Sequence, residues 1–512
     1  MNSNLLKVYY LPIYLSITLI AGIYLGKNIF STSQSFNQFS SNDSLYNEAS
    51  NLAEILQIVQ DNYVDSVNVK DVAGKGLSDL LHRLDPHSNY IPASKVAKTN
   101  ESLEGSFEGI GLEFLLMGDT IVAVKTVANG PSHKAGILPG DKILFIENQN
   151  AVIKDIKSED VINKLRGKRG STVNIKIQRH GSSTLIPLSI KRAEIPIYSV
   201  HAAFMLDSST AYFKIDEFSS TTMDEFKASY PYQNEKVKTV VIDLRGNGGG
   251  YLNTCTQLAD EFLKEEELIV YTKGRTQGER KMYATSQGRF EDVRLYVLID
   301  HQSASASEIF AGAMQDNDRA TIIGTRSFGK GLVQEMFTLS DGAQVRLTIS
   351  RYYTPSGRCI QKPYKDMDYE DYTLSSFDND SIADSTVYFT KNKRKVYGGG
   401  GIFPDIKINE DSTISWKELG YIYRNDIIRK TAIRFVIQHL GTLSKLGLEE
   451  FKNNKIYNAQ LNNMVQKLNV SPFAKEYILK EVKANVVRSI WGNNAYYSLK
   501  LQGDEWLKKV KK

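Results

Sequence analysis

Residues 301–334 read HQSASASEIFAGAMQDNDRATIIGTRSFGKGLVQ, and the order of elements in this segment indicates the architecture of the chain. A strand is expected to end at Asp300, a run of small residues follows, and an amphipathic helix begins near Ser305. A short apolar strand, ATIIG (320–324), comes next and leads to the glycine-flanked Lys330. This strand–helix–strand order predicts α/β architecture.

The segments before residue 301 also alternate between strands and helices. AYFKI (211–215), TVVIDL (239–244) and LYVLID (295–300) are apolar runs typical of strands, with helical stretches between them. Residues 365–396 are acidic and rich in Ser and Asp, and we expect an exposed insertion there. The chain thus predicts an α/β core interrupted late by a polar insertion.

Composition narrows the classes of function. The chain has 512 residues, a formal net charge of +5, 24% charged and 41% hydrophobic residues, which is typical of a globular protein. So small an excess of positive charge argues against a nucleic-acid partner. The two cysteines, Cys255 and Cys359, exclude a disulfide framework and a Cys-rich zinc site.

A serine at the start of a helix can act as a nucleophile, because the amide of its neighbour can stabilise an oxyanion. Serine needs a base at neutral pH. For Ser305 the candidates are His301, in the loop before it, and Lys330, in the turn after the next strand. A lysine serves as a base only when burial lowers its pKa, and a solvated turn lysine would not qualify. The residues alone leave this choice open.

Two glycine-rich segments approach nucleotide-binding motifs and depart from them. In DLRGNGGG (243–250), a G-x-G-x-x-G counted from Gly246 ends on Tyr251. In GTRSFGKG (324–331), Gly331 replaces the Ser or Thr that would hold magnesium, and a strand rather than a helix follows. A nucleotide cofactor is therefore not expected.

Residues 103–192 differ in character, with short β-type runs between Gly and Pro turns. SFEGIGLEF (106–114) forms a loop whose successive N–H groups can hold a carboxylate, followed by a strand edge that can pair with a peptide. Together with PSHKAGILPGDKILFIEN (131–148), it resembles a PDZ domain in its circularly permuted bacterial form. The resemblance implies capture of protein or peptide C-terminal tails by Gly109, Ile110, Gly111 and Leu112.

Further motifs resemble a known family. They are DLRGNGGG, SASASEI (303–309), QD (315–316), FGKGLVQ (328–334), YYTPSGRCIQ (352–361) and GGIFPD (400–405). In this order behind a PDZ domain, they resemble the C-terminal processing peptidases, tail-specific serine proteases of peptidase family S41A. The resemblance covers roughly residues 45–407. It implies an α/β (α+β) fold with a ClpP/crotonase-like core, an inserted PDZ domain, an N-terminal helical segment and a C-terminal helical region.

The resemblance also implies roles for residues. Ser305 would be the nucleophile, Lys330 the general base, and Gln334 the residue that orients the lysine. The oxyanion hole would consist of the amides of Ala306 and Gly249. No metal or organic cofactor is needed.

Two residues of the family motifs are expected to be structural, Asp316 of QD and His87 of LDPHSNY (84–90). The family usually has a proline where Gly248 stands, so the turn around it is expected to be looser.

The N-terminus suggests a compartment. Residues 8–26 carry no charge and are long enough to cross a bilayer, so we expect a retained anchor rather than a cleaved signal peptide. This places the protein in a bacterial inner membrane, with the catalytic domain in the periplasm or cell envelope. The predicted division of the chain is 1–45 anchor and tether, 46–102 helical region, 103–192 PDZ domain, 193–410 peptidase core and 411–512 helical region.

The resulting hypothesis is a serine endopeptidase that cleaves near the C-terminus of exported proteins through an acyl-enzyme. The alternative is a non-catalytic adaptor that captures C-terminal tails with its PDZ domain. Aromatic residues of the C-terminal helical region are expected to be core or dimer contacts, and a homodimer is left open.

Overall fold

The structure is a computed structural model of the chain, and it describes residues 43–229, 237–365, 367, 369–374, 386–409 and 413–510. The chain divides into two compact units, residues 1–77 and residues 78–512. In the second unit, helices and strands are mixed up to Lys407, and the described residues after it form helices without a strand. This confirms the predicted α/β class and the helical C-terminal region.

The expectation for the N-terminus requires a correction. The stretch 8–26 lies outside the described residues. Across the described ranges, no helix has the length and apolar character needed to cross a bilayer, which takes about 20 apolar residues. The predicted localisation, a single N-terminal anchor in an inner membrane with a periplasmic catalytic domain, is therefore not supported, and the membrane is removed from the expected partners.

The predicted N-terminal helical segment is confirmed. It corresponds to α1 (Asp43–Asn62) and α2 (Val69–His82). A turn follows in which the buried Asp85 carboxylate accepts the backbone N–H groups of His87 and Ser88, an Asx turn. The turn leads into β1 (Asn89–Ile91) and α3 (Ala93–Glu104).

A small antiparallel module comes next. Its elements are β2 (Ser106–Gly109), β3 (Leu112–Met117), β4 (Thr120–Thr126), α4 (Pro131–Lys134), β5 (Lys142–Ile146), β6 (Gln149–Asn150), α5 (Ser158–Leu165), β7 (Thr172–Gln178), β8 (Leu185–Lys191) and β9 (Ala193–Pro196). The sheet order is β3-β4-β5-β7-β8, with β6 on β5, while β2 pairs with β9. Alternate residues of β7, Val173, Ile175 and Ile177, fill the module's core, as expected for a strand with one buried face.

Residues 200–407 form two further sheets and a hairpin. Their elements are β10 (Val200–Met205), β11 (Thr210–Ile215), α6 (Thr222–Ser229), β12 (Thr239–Asp243), α7 (Leu252–Asp260), β13 (Leu268–Gly274), β14 (Gly278–Tyr283), β15 (Arg294–Ile299), α8 (Ala306–Asp316), β16 (Ala320–Gly324), β17 (Leu332–Thr338), β18 (Gln344–Tyr353), α9 (Tyr369–Leu374), β19 (Val387–Phe389), β20 (Lys395–Tyr397) and β21 (Ile406–Lys407).

The first of these sheets has the order β10-β11-β12-β15-β16-β21 and is parallel from β11 onward. Every residue of β11 and β12 is buried because both faces of the sheet are covered. One face packs against α7 and α8, and the other packs against Leu501 and Trp506. The loops that leave β12 and β15 lie at the carboxyl ends of parallel strands, where sites commonly form in such sheets.

The second sheet has the order β1-β18-β13-β14, and β17 also pairs with β18. The turn between β16 and β17 carries Lys330, and β17 carries Gln334. This sheet therefore brings the turn of residues 85–88, which precedes β1, close to the strand that follows Lys330.

The C-terminal helices are α10 (Trp416–Arg424), α11 (Ile427–Leu443), α12 (Leu448–Asn453), α13 (Lys455–Gln466) and α14 (Pro472–Lys500). They share a hydrophobic cluster with Leu115 and Val122 of the small module. Arg488 also reaches Glu113 on β3 at 3.1 Å. The helical region thus packs against the face of β3 and β4 that carries Leu115 and Val122.

Candidate active site

Ser305 lies directly before α8 with an unusual backbone. Its φ is 55° and its ψ is −114°, a backbone conformation that residues other than glycine rarely adopt. Such a conformation costs on the order of 1–3 kcal/mol and persists only when the surroundings impose it. Here the Ala304 N–H donates to the Asn247 carbonyl at 3.0 Å, and the Tyr352 hydroxyl donates to the Ser305 carbonyl at 3.2 Å.

Glu308 is a residue of the site that the sequence reasoning missed. Its buried carboxylate accepts the backbone N–H of Ser305 at 2.8 Å and that of Lys330 at 2.9 Å, both on Oε2. Oε1 accepts the Ser327 hydroxyl at 2.6 Å and the Gly329 N–H at 2.7 Å. Burial raises the pKa of Glu308 to about 7, against the lowering effect of these hydrogen bonds. The S-x-x-E spacing from Ser305, a capping-box pattern, could have indicated it.

Lys330 projects into the same region from its glycine-flanked turn. Its Nζ donates to Oε1 of Gln334 at 2.9 Å. Burial of the ammonium group, together with the positive charge of Arg346, lowers the pKa of Lys330 to about 8. A substantial fraction of this lysine is therefore neutral slightly above physiological pH.

Gln334 links the lysine to the N-terminal turn. While its Oε1 accepts from Lys330, its Nε2 donates to the backbone carbonyl of His87 at 2.8 Å. Both ends of the amide are engaged, so its orientation is fixed.

The two expected oxyanion donors lie side by side. A Cβ added at Gly249 would fall 2.8 Å from Ser305 Cβ and 3.1 Å from the Ala306 nitrogen, so only glycine fits there. The Gly249 N–H donates to Oδ1 of Asn247 at 2.8 Å. Ala306 is the first residue of α8, where backbone N–H groups point away from the helix.

These groups surround one cavity of about 350 Å³. It is lined by Ser305, Ala306, Gly249, Lys330 and Gln334, together with the apolar side chains of Leu252, Ile309, Leu332 and Met336 and with Tyr352. His301, the other candidate base, does not line it.

The predicted tail-binding loop lies elsewhere, between β2 and β3. Gly111 has a φ of 67°, and Ile110 is buried with its carbonyl accepting the Ser132 N–H at 3.0 Å. Leu112 begins β3, which among the described strands pairs with β4 alone. One edge of β3 therefore has no strand partner among the described strands.

Asp316, at the end of α8, forms a fully buried ion pair with Arg358 at 2.7 Å. It also accepts the Ser356 hydroxyl at 2.6 Å. Asp316 thereby connects α8, the helix that follows Ser305, to the loop after β18.

Two family profiles match parts of the chain. The profile of peptidase family S41 matches residues 209–370, and a PDZ domain profile matches residues 123–179. The carboxy-terminal-processing protease of Bartonella bacilliformis is 33% identical over 348 residues, which cover 67% of this chain and 79% of that protein. The carboxy-terminal processing protease CtpB of Bacillus subtilis is 34% identical over 310 residues, which cover 60% of this chain and 64% of that protein.

Among solved structures, the photosystem II D1 C-terminal processing protease is 23% identical, and the match covers 73% of this chain and 95% of that one. The TM-score of this match is 0.36. The sequence matches carry the assignment: the chain belongs to the carboxy-terminal processing proteases, serine peptidases of family S41 with a PDZ domain.

Proposed function

We propose that this peptidase cleaves proteins near their C-termini with Ser305 as nucleophile and Lys330 as general base. The observation that carries the proposal is the placement of Lys330, with a pKa lowered to about 8, in the wall of the cavity that Ser305 also lines. A lysine that is partly neutral near physiological pH can accept a proton, which an ordinary surface lysine does not do.

The chemistry is acyl transfer in two steps. Neutral Lys330 accepts the Ser305 hydroxyl proton while Oγ attacks the scissile carbonyl carbon. The Lys330 ammonium then gives that proton to the leaving amine, and an ester to Ser305 remains. Lys330 next activates a water molecule that hydrolyses the ester. Gln334 accepts from Nζ throughout and so keeps it directed at the cavity.

The Ala306 amide, at the start of α8, is the oxyanion donor we propose first, because the helix dipole favours negative charge there. Gly249 would be the second. It contributes only if its N–H turns from Asn247 Oδ1 toward the substrate.

The PDZ module would supply the preference for chain ends. Gly109, Ile110, Gly111 and Leu112 form the turn that would receive a terminal carboxylate, and β3 offers the edge for the residues before it. The apolar lining of the cavity, including Leu252 and Met336, favours a small or apolar residue before the scissile bond.

The test compares cleavage of a tail peptide with a free C-terminus by wild type, Ser305→Ala and Lys330→Ala, with products mapped by mass. Each variant should lose turnover. The exposed Ser340→Ala and Lys365→Ala serve as matched controls that retain it. If both site variants cleave at the wild-type rate, the assignment is wrong. If the wild type binds the free tail, does not bind its amidated form and never cleaves it, the chain is an adaptor.

A further inference from the structure

We propose that Tyr372, on the short helix α9 of the acidic segment, is a positioning residue for the Lys330–Gln334 pair and acts through His87. The inference rests on the proposed function, since it concerns the base of that reaction. The sequence suggested that this segment is exposed, yet the Tyr372 side chain is only 1% exposed.

Tyr372 is held from several sides. Its hydroxyl lies 3.0 Å from Nε2 of His87 and accepts Nε2 of Gln361 at 3.1 Å. Its ring contacts the rings of His87 and Phe328, at centroid distances of 5.3 and 5.7 Å. Lys362 Nζ also donates to its carbonyl at 2.6 Å. The Tyr372 side chain thus packs between His87 and Phe328, which belongs to the turn of residues 327–331.

The contact with His87 leads directly to the catalytic pair. The backbone carbonyl of His87 accepts Nε2 of Gln334 at 2.8 Å, and Oε1 of Gln334 accepts Nζ of Lys330 at 2.9 Å. A continuous path therefore leads from the Tyr372 hydroxyl to the His87 ring, and from the His87 carbonyl to Gln334 and Lys330.

His87, the histidine in this series of contacts, stays neutral and can therefore hold one orientation. Burial, reinforced by the charge of Lys330, lowers the pKa of His87 to about 3. A neutral ring has one donor and one acceptor nitrogen, so its bond to the Tyr372 hydroxyl fixes the ring without adding a charge beside Lys330.

Gln361 gives Tyr372 a second connection to the same turn. While its Nε2 holds the Tyr372 hydroxyl, its Oε1 accepts the backbone N–H of Gly331 at 2.8 Å. Through Gln361, Tyr372 is thus also connected to the backbone of Gly331, the residue after Lys330.

Neither Tyr372 nor His87 lines the cavity. Loss of their bond should therefore affect the chemical step and leave substrate binding unchanged. Replacing one hydrogen bond of a buried network by an apolar contact corresponds to roughly a three- to ten-fold fall in kcat, with KM within two-fold of wild type.

The experiment measures kcat and KM on a free-tail peptide for Tyr372→Phe, His87→Phe and the double variant. Each single variant should show the fall in kcat, and the double variant should be no slower than the slower single one, because both substitutions remove the same bond. Tyr364→Phe, the same change at a half-buried tyrosine of the same segment, is the matched control and should match wild type.

Additive losses in the double variant, a rise in KM without a fall in kcat, or wild-type kcat in Tyr372→Phe would each overturn the inference. Melting temperatures of all variants separate loss of fold from loss of positioning. Failure of the proposed function has a different signature, since Lys330→Ala would then remain active.

Discussion

Lys330 and Glu308 are joined at the backbone: the Lys330 N–H donates to Oε2 of Glu308 at 2.9 Å, and the same oxygen accepts the Ser305 N–H at 2.8 Å. One buried carboxylate atom thus sets the separation between the segment of the proposed nucleophile and that of the proposed base.

We predict that Glu308→Gln impairs catalysis strongly. A glutamine can present only one acceptor oxygen, so its NH₂ group must face two of the four donors that Glu308 now satisfies. Lost hydrogen bonds to a charged group are worth roughly 1.5–3 kcal/mol, or about a ten- to hundred-fold fall in kcat/KM. Steady-state kinetics on a tail peptide measures this. Glu450→Gln, on the exposed face of α12, should have no effect.

The pH profile of kcat/KM should rise with pH, with a midpoint near 8. Only neutral Lys330 can accept the serine proton, and its pKa is lowered to about 8. The neutral fraction is then about a tenth at pH 7 and about nine-tenths at pH 9. Below pH 7 the slope should steepen, because Glu308, with a pKa of about 7, also gains a proton there. A rate that falls from pH 7 to 9 contradicts the assignment of Lys330.

Arg346→Gln should move this midpoint to higher pH. Arg346 lines the cavity, and its positive charge disfavours the ammonium form of Lys330. Without it, the Lys330 pKa rises and activity at pH 7 falls, while the rate at high pH is retained. The control is Arg351→Gln, an exposed arginine on the same strand, which should leave the midpoint in place.

Gly249→Ala should abolish turnover. Its φ of 109° is strained for alanine, and the added Cβ would lie 2.8 Å from Ser305 Cβ. Gly181→Ala separates backbone strain from steric overlap, because Gly181 has a φ of 81° and nothing within 4 Å of the added atom. That variant should lose only the backbone contribution, about 1 kcal/mol of stability, and keep full activity. Equal activity of the two variants would contradict the proposed fit at Gly249.

Arg358→Met should destabilise the fold by about 3–5 kcal/mol, because it leaves Asp316 charged and unpaired in the interior. Urea unfolding measures the change. Arg169→Met, which removes an exposed ion pair with Glu194, should change stability by less than about 1 kcal/mol. Stability unchanged in Arg358→Met would argue against a structural role for Asp316.

Much of the architecture follows from local sequence. β11, β12 and β15 are apolar runs bounded by polar turns. The segment from Ser305 to Gln334, which runs through α8 and β16 into β17, holds four of the proposed site residues. Periodicity and turn residues are sufficient to predict the helices and strands, whereas the roles of the site residues came from the family resemblance.

Apart from Glu308, the residues that were missed depend on distant pairing. Arg346 affects Lys330 from β18, and the His87 carbonyl reaches Gln334 because β1 pairs with β18. Tyr372 sits in a segment whose composition indicates exposure, and its burial depends on a space between Phe328 and His87 that no local pattern reveals.

The strand β18 has a consequence for anyone who modifies this protein. It pairs with β1, β13 and β17 at once, and its residues Arg346 and Tyr352 both face the cavity. Side chains alternate between the two faces of a strand. Inserting a single residue within 344–353 would therefore move the side chains beyond it to the opposite face and disturb the pairing of β18 with its three partner strands. The exposed turn at 339–342, just before this strand, is by contrast a place where an epitope or a fluorophore can be attached without disturbing the alignment.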